Sequence, residues 1–330
     1  MALPGTDIRM SAAASPGRRI ARFSGVVLAA LLLLIAVFVA ANWAPDRPVS
    51  ELRARWAQPP STFIDVQGMQ VHLRDEGPRS DPVPIVLLHG TSSSLHTWDG
   101  WARELKANRR VIRFDLPGIG LTGPSPDANY RIERYVRFVA AMLDALGVSR
   151  CVLAGNSFGG QVAWETALAN PGRVDKLILV DAAGYPFQPV SVPIGFRIAR
   201  IPLLNRLVEF TLPRSVVEAS VRNVYGDPAK ITPELVDRYF ELTLRAGNRR
   251  ALVQRFGQAL ADIHPDRISA LKVPTLILWG GRDRLLPPAD AQTFHRDIAG
   301  SRLIVFDDLG HVPHEEDPVA TVAAVKQFLS

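Results

Sequence analysis

The sequence contains a single cysteine, Cys151. No disulfide can close within the chain, so a disulfide-stapled fold is excluded, and a lone thiol in an apolar run is expected to pack. Clustered charge is also missing. The formal net charge is +6 and is carried almost wholly by arginine, but these arginines are scattered among acids. No basic stripe with interleaved aromatics occurs, which sets nucleic-acid binding aside. No group of histidines, cysteines or carboxylates shows metal-ligand spacing, and the chemistry argued below needs neither a metal nor an organic cofactor. Internal repeats and low-complexity tracts are absent. What remains is a globular composition, 47% apolar, long enough for one large domain with an insertion or for two small ones.

Long apolar runs are absent too, with one exception. Residues 1–22 are small, polar and basic, with Arg9, Arg18, Arg19 and Arg22, and are expected to be disordered. Residues 23–44 are then almost entirely Val, Leu, Ala, Ile and Phe without charge, and Trp43 stands at the far end. A bilayer span needs roughly 20 such residues with an aromatic at the interface. The block is read as an uncleaved transmembrane anchor, with the membrane as partner. A cleaved signal peptide ending at Val39-Ala40-Ala41 is the second reading, and a buried core helix the third. The arginines ahead of the block favour a cytoplasmic N-terminus and a folded part on the non-cytoplasmic side. Arg47, Arg53 and Arg55 dilute that bias. Residues 45–60 carry Pro45, Pro48, Pro59 and Pro60 and are read as an irregular linker.

From residue 61 onward the pattern is that of strands alternating with helices. Thr62–Val66 and Met69–Leu73 alternate about Gln67-Gly68 and read as an antiparallel hairpin at a sheet edge. Ile85–Leu88, Val111–Phe114, Cys151–Ala154, Leu177–Val180, Thr275–Trp279 and Leu303–Phe306 are short apolar runs suited to buried strands. Ile132, Tyr135, Val136, Val139, Met142, Leu143 and Leu146 trace one helical stripe, and Pro318–Leu329 forms a closing helix. The implied class is α/β, with a doubly wound, mostly parallel sheet. Between 182 and 269 the alternation stops, and helical patterns are broken by Pro186, Pro189, Pro193, Pro202, Pro213, Pro228 and Pro233. This stretch is read as a helical lid inserted over the carboxyl ends of the strands. Core parts at 61–181 and 270–330 flank it. Its segment Val192–Leu212 is apolar with Arg197, Arg200 and Arg206 interspersed, and is read as lid packing, with contact to a membrane or apolar substrate as the alternative.

The chemistry centres on Gly155-Asn156-Ser157-Phe158-Gly159-Gly160. A strand precedes Ser157 and a helix follows it, in the pattern G-x-S-x-G. A serine hydroxyl is a weak nucleophile until it is lifted from the sheet and given a base, and a sharp glycine-flanked turn does the lifting. The helix start aims free N–H groups at developing negative charge. His311, in the loop after the last strand, is the expected base, with His314 as runner-up. Asp283, just past a strand end, is the expected acid, and Asp181, which ends another strand, is its competitor. The backbone N–H groups of Phe158 and of Thr91, with Ser92 next, are the expected oxyanion donors. His72, His96, His264 and His295 are assigned to surface or packing.

Together, Leu88-His89-Gly90-Thr91 with Trp98 beyond, Asp115-Leu116-Pro117-Gly118-Ile119-Gly120, the Gly155–Gly160 stretch, Gly281-Arg282-Asp283 and Gly310-His311 resemble the α/β-hydrolase fold superfamily from about Thr62 to the C-terminus, apart from the lid. The resemblance implies that His89 shapes the oxyanion loop and that the Asp115 segment is a structural turn. A serine at position 157 departs from the branches that use aspartate there. The expectation is a serine hydrolase acting on a carboxylic ester with an apolar part. The wording around Ser157 is also similar to that of carbon–carbon bond hydrolases of ring-cleavage products, which is the first alternative. A non-catalytic, membrane-tethered binding module is the second.

Overall fold

The structure is a computed structural model, and it describes residues 16–186, 188–201, 204–258 and 263–330. The chain divides into two units, Met1–Trp43 and Ala44–Ser330. The first holds one helix, α1 (Pro16–Ala41). The expectation of disorder over 1–22 is therefore corrected for 16–22, which is helical. Proline suits the first position of a helix because the N–H it lacks would have no partner there. The remainder of that expectation, 1–15, lies outside the described residues. Within α1, Phe23–Ala41 has a mean hydropathy of 2.9 with none of it buried, which by length and composition is enough to cross a membrane.

The second unit opens with α2 (Val49–Trp56), where an irregular linker was expected. Pro48 precedes the helix and Pro59-Pro60 follow it, so the prolines bound α2 without entering it. Leu52 and Trp56 lie four residues apart on one face. Both are buried, in a cluster with Leu121 and Leu242.

Eight strands follow: β1 (Thr62–Val66), β2 (Met69–Glu76), β3 (Ile85–Leu88), β4 (Val111–Phe114), β5 (Cys151–Asn156), β6 (Val174–Val180), β7 (Thr275–Gly280) and β8 (Arg302–Phe306). They form one sheet in the order β1-β2-β4-β3-β5-β6-β7-β8. Only β2 runs antiparallel to its neighbours, β1 and β4, while all other pairings are parallel. The interior strands β3, β4, β5 and β7 are buried at every position, as strands covered on both faces must be.

Helices α4 (Ile132–Ala145), α5 (Phe158–Ala169) and α11 (Pro288–Asp297) cover one face, with Tyr135, Phe138, Trp164 and Phe294 in its core. Helices α3 (Asp99–Leu105) and α13 (Pro318–Leu329) cover the other, with Trp98, Trp101 and Phe328. Between β6 and β7 the chain forms α6 (Ile194–Arg200), α7 (Leu204–Val208), α8 (Arg214–Val224), α9 (Pro233–Thr243) and α10 (Asn248–Gln258), and α12 (Pro313–Glu316) follows β8. Cys151 is buried in β5, where desolvation pushes its thiol up to about 12.

Candidate active site

Parallel strands end on the same edge, so the loops after β3, β5, β6, β7 and β8 converge there. After β5 the chain turns into α5 through Ser157, whose φ of 55° and ψ of −120° lie in a region costly for a residue with a side chain. The turn is locked from both sides. The Ser157 N–H donates to Val180 O at 3.0 Å, and its carbonyl accepts N–H groups from Gly160, Gln161 and Ala183. A Cβ at Gly155 would strike the Gly159 carbonyl, and one at Gly159 would strike the carbonyls of Leu88 and His89. These glycines are therefore required by close approach of strand and helix. Ser157 itself is half-buried.

His311 is held beside this turn. Asn156 Nδ2 donates to His311 O at 3.0 Å and to Val180 O at 3.1 Å. The His311 N–H donates to Val224 O at 2.7 Å, and the Gly310 N–H donates to Glu316. Glu316 also accepts the N–H groups of Gly226 and Asp227. The histidine loop is thus tied both to β5 and to the helical insertion. Asn156 and Glu316 had no role in the sequence reading, because a side chain that grips a distant backbone leaves no mark in spacing.

His311 Nδ1 lies 2.6 Å from Asp283 Oδ2. Asp283 Oδ1 accepts the N–H groups of Leu285 and Leu286 at 2.8 and 3.0 Å. Asp181 stands next to this pair, its φ is 43°, and its Oδ1 accepts the Gly280 N–H at 2.9 Å. Its Oδ2 is buried and has no hydrogen-bond partner among the described residues. Burial, and then the neighbouring Asp283, hold the Asp181 carboxyl well above its ordinary range. The structure thus pairs His311 directly with Asp283 and places Asp181 behind them. Oxygen and nitrogen atoms of all three residues lie within 4.8 Å of one another, a metal-capable grouping that no spacing in the sequence announced. The N–H groups already directed at both carboxyls, and the engaged Nδ1, suit a hydrogen-bonded dyad better than a cation. Neither Ser157 Oγ nor His311 Nε2 makes a hydrogen bond to protein among the described residues. Such bonds often form only once substrate is present.

The loop after β3 is shaped by His89. The Leu116 N–H donates to His89 Nε2 at 2.9 Å, so Nε2 is the acceptor, and Nδ1–H donates to Gly90 O at 2.8 Å. Burial holds His89 below its usual pKa and hence neutral, against the opposing pull of Asp115. Across a trans peptide the Gly90 carbonyl and the Thr91 N–H point opposite ways. Fixing the carbonyl toward His89 turns the Thr91 N–H away from it. The Thr91 N–H and the first-turn Phe158 N–H donate to no protein acceptor among the described residues. Asp115 anchors the neighbouring turn by accepting from Leu95 N–H, Leu121 N–H and His72. Burial alone would raise its carboxyl, but His72 and the other nearby histidines hold it below the usual range.

The other histidines are placed elsewhere. His314 Nε2 meets Thr97 Oγ1 at 3.0 Å and its ring lies against Trp98. Burial, His311 and Arg238 push it well below its normal pKa, which suits packing. His72 and His96 are buried with hydrogen-bond partners, and burial takes His96 down to about 3. His264 and His295 are exposed.

A cavity of about 110 Å³ adjoins the loop after β3. Thr91 and Ser92 line it on one side and Phe196, Leu212, Val217 and Val221 of the insertion on the other.

Residues 83–318 match the alpha/beta hydrolase fold family. An uncharacterized protein of Mycobacterium tuberculosis is 31% identical, covering 86% of this chain and 84% of its own. A 2-hydroxy-6-oxo-2,4-heptadienoate hydrolase of Pseudomonas putida is 30% identical, covering 80% of this chain and 94% of its own. Among solved structures, a bacterial membrane phospholipase A superposes with a TM-score of 0.70 at 25% identity, covering 94% of this chain and 96% of its own. With the strand order, the turn at Ser157 and a family match over most of its length, the chain belongs to the alpha/beta hydrolase fold family.

Proposed function

We propose that the protein is a serine hydrolase that cleaves a carboxylic ester carrying an apolar part. Ser157 Oγ attacks the ester carbonyl and His311 Nε2 takes its proton. Asp283 holds the imidazolium through Nδ1, and the N–H groups of Thr91 and Phe158 receive the oxyanion. The alkoxide leaves with the proton from His311. Water then attacks the acyl-enzyme with His311 as base, releasing the acid and restoring Ser157. The observation that carries the ester reading is the cavity beside Thr91 and Ser92, whose walls are mostly apolar. Helices α6–α10 serve as the lid over it. Helix α1 serves as a single-pass anchor, with the catalytic unit on the non-cytoplasmic side.

The test is turnover of p-nitrophenyl esters of increasing acyl length by the full chain in detergent. Ser157→Ala should lower kcat by about 10⁴-fold or more while the variant stays folded. Undiminished cleavage by the variant would remove Ser157 from the mechanism. A second reading is carbon–carbon bond hydrolysis, favoured by the Pseudomonas putida relative. Faster loss of a coloured vinylogous dienol acid than of any ester would select it.

A further inference from the structure

Five arginines of the folded unit are buried: Arg110, Arg113, Arg134, Arg249 and Arg255. Four have carboxylate partners: Asp75 for Arg110, Glu76 for Arg113, Asp127 for Arg134 and Asp46 for Arg249. Arg255, on α10, has none among the described residues. Its Nη2 donates to Thr91 Oγ1 at 2.7 Å, and its Nε is buried without a partner. Its guanidinium carbon lies 4.4 Å from the Phe158 ring centroid and 5.1 Å from that of Phe256. Arg200 approaches the same Phe256 ring at 4.8 Å. One neutral hydrogen bond and two aromatic faces offset the desolvation of a cation only in part. A guanidinium with an open donor is a ready partner for an oxyanion, which it grips through two parallel bonds.

The place of this cation is informative. Thr91 and Phe158, two of the residues it touches, are those whose N–H groups face the reacting carbonyl in the reading above. Arg255 also lines a second, smaller cavity of about 20 Å³, together with Ser92, Ser93 and Tyr135. Ser92, Thr243 and Leu252 border this cavity and the larger apolar one alike. A ligand with an apolar part in the larger space can therefore set a small polar group against the guanidinium.

We propose that Arg255 is a specificity residue that pairs with an anionic oxygen group of the substrate, a carboxylate or a phosphate, while the apolar part fills the larger cavity. This rests on the serine-hydrolase reading. A mere brace for Thr91 would act on every ester alike.

The test uses the full chain in detergent, as wild type, Arg255→Gln and Arg255→Lys. Substrates are p-nitrophenyl butyrate, the p-nitrophenyl monoester of glutarate, and short-chain phosphatidic acid against the matching diacylglycerol. Wild type should prefer the carboxylate or the phosphate partner over its neutral counterpart, mainly through KM, and whichever is preferred identifies the source of the anion. Arg255→Gln should lower the anionic-to-neutral ratio of kcat/KM by about 30-fold or more, with partial recovery in Arg255→Lys. An unchanged ratio while both rates fall together would reduce Arg255 to a brace and overturn the proposal, as would a wild type indifferent to both anions. Binding of monobutyl and dibutyl glutarate, followed by calorimetry with Ser157→Ala present in every chain compared, asks the same question without turnover. Tighter binding of the monoester that is lost in Arg255→Gln supports the proposal, and equal binding overturns it. Failure of the serine-hydrolase reading looks different: no ester is cleaved and Ser157 takes no fluorophosphonate label.

Discussion

Asp283 receives three N–H groups, from His311, Leu285 and Leu286, whereas Asp181 receives one, from Gly280. An acceptor-only carboxylate belongs where the donors are, and a carboxyl with an unpartnered oxygen beside it suits a proton. The acid of the proposed triad is accordingly Asp283, with Asp181 next to it, its carboxyl held well above the ordinary range by burial and by Asp283. Asp283→Asn is expected to lower kcat by about 10⁴-fold, as loss of the imidazole's orienting charge does, and Asp181→Asn by less than about 10-fold, since an amide N–H still reaches Asp283. Steady-state kinetics of the two variants decides the assignment, and the reverse order would move the acid to Asp181. The same carboxyl carries a pH signature. Its folded pKa is raised by burial and by Asp283, so the folded state holds this proton more tightly than the unfolded chain. That stabilisation is complete below the ordinary aspartate range near 4 and is lost as pH rises through the raised value. The unfolding free energy from urea titration, wild type minus Asp181→Asn, should fall with pH across that window, at up to about 1.4 kcal/mol per pH unit. A difference that does not change with pH would show that Asp181 holds no such proton.

At the scale of elements, what hydropathy records was legible and what pairing creates was not. Ile85–Leu88 is a continuous apolar run and Val111–Phe114 is broken only by Arg113, so both could be read to the residue. Strand β2 runs three residues past its apolar part because Arg74, Asp75 and Glu76 pair with β4, and Arg113 of β4 and Arg110 just ahead of it meet the two acids. Ser157, Asp283 and His311 stood out because each follows a strand, whereas the solitude of Arg255 exists only in three dimensions. Helix α2 was hidden by its prolines and by having just two anchoring residues. Trp56 shows what it does: its Nε1 donates to Glu241 at 2.6 Å, its carbonyl accepts from His96 at 2.9 Å, and its ring is buried. Trp56→Ala should cost about 3 kcal/mol of stability. A chain beginning at Ser61 should melt below one beginning at Ala44. Equal melting temperatures for the two truncations would make α2 an ornament of the surface.

On the whole molecule, the anchor reading meets its hardest test in orientation. Arg9, Arg18, Arg19 and Arg22 precede the apolar segment and Arg47, Arg53 and Arg55 follow it, so the positive-inside bias is small by count. Arg47 pairs with Glu51 and Glu241, Arg55 pairs with Asp237 and Glu241, and Arg53 lies over the Phe63 ring at 3.8 Å. Arginines engaged by a folded unit are withdrawn from competition for the anionic cytoplasmic leaflet. This engagement supports the proposed cytoplasmic N-terminus and translocated Ala44–Ser330. A phosphatase reporter that is active only outside the cytoplasm should therefore be active when fused after Ser330, and a reporter that needs the cytoplasm should be silent there. Fractionation and intact mass complete the case. An uncleaved anchor keeps the full mass and stays with membranes in high salt, where purely electrostatic attachment is screened, and deletion of residues 1–43 releases it. A mass lacking the apolar segment, in a protein recovered free of membranes, would instead make that segment a signal peptide, leaving the hydrolase reading of the folded unit as it stands.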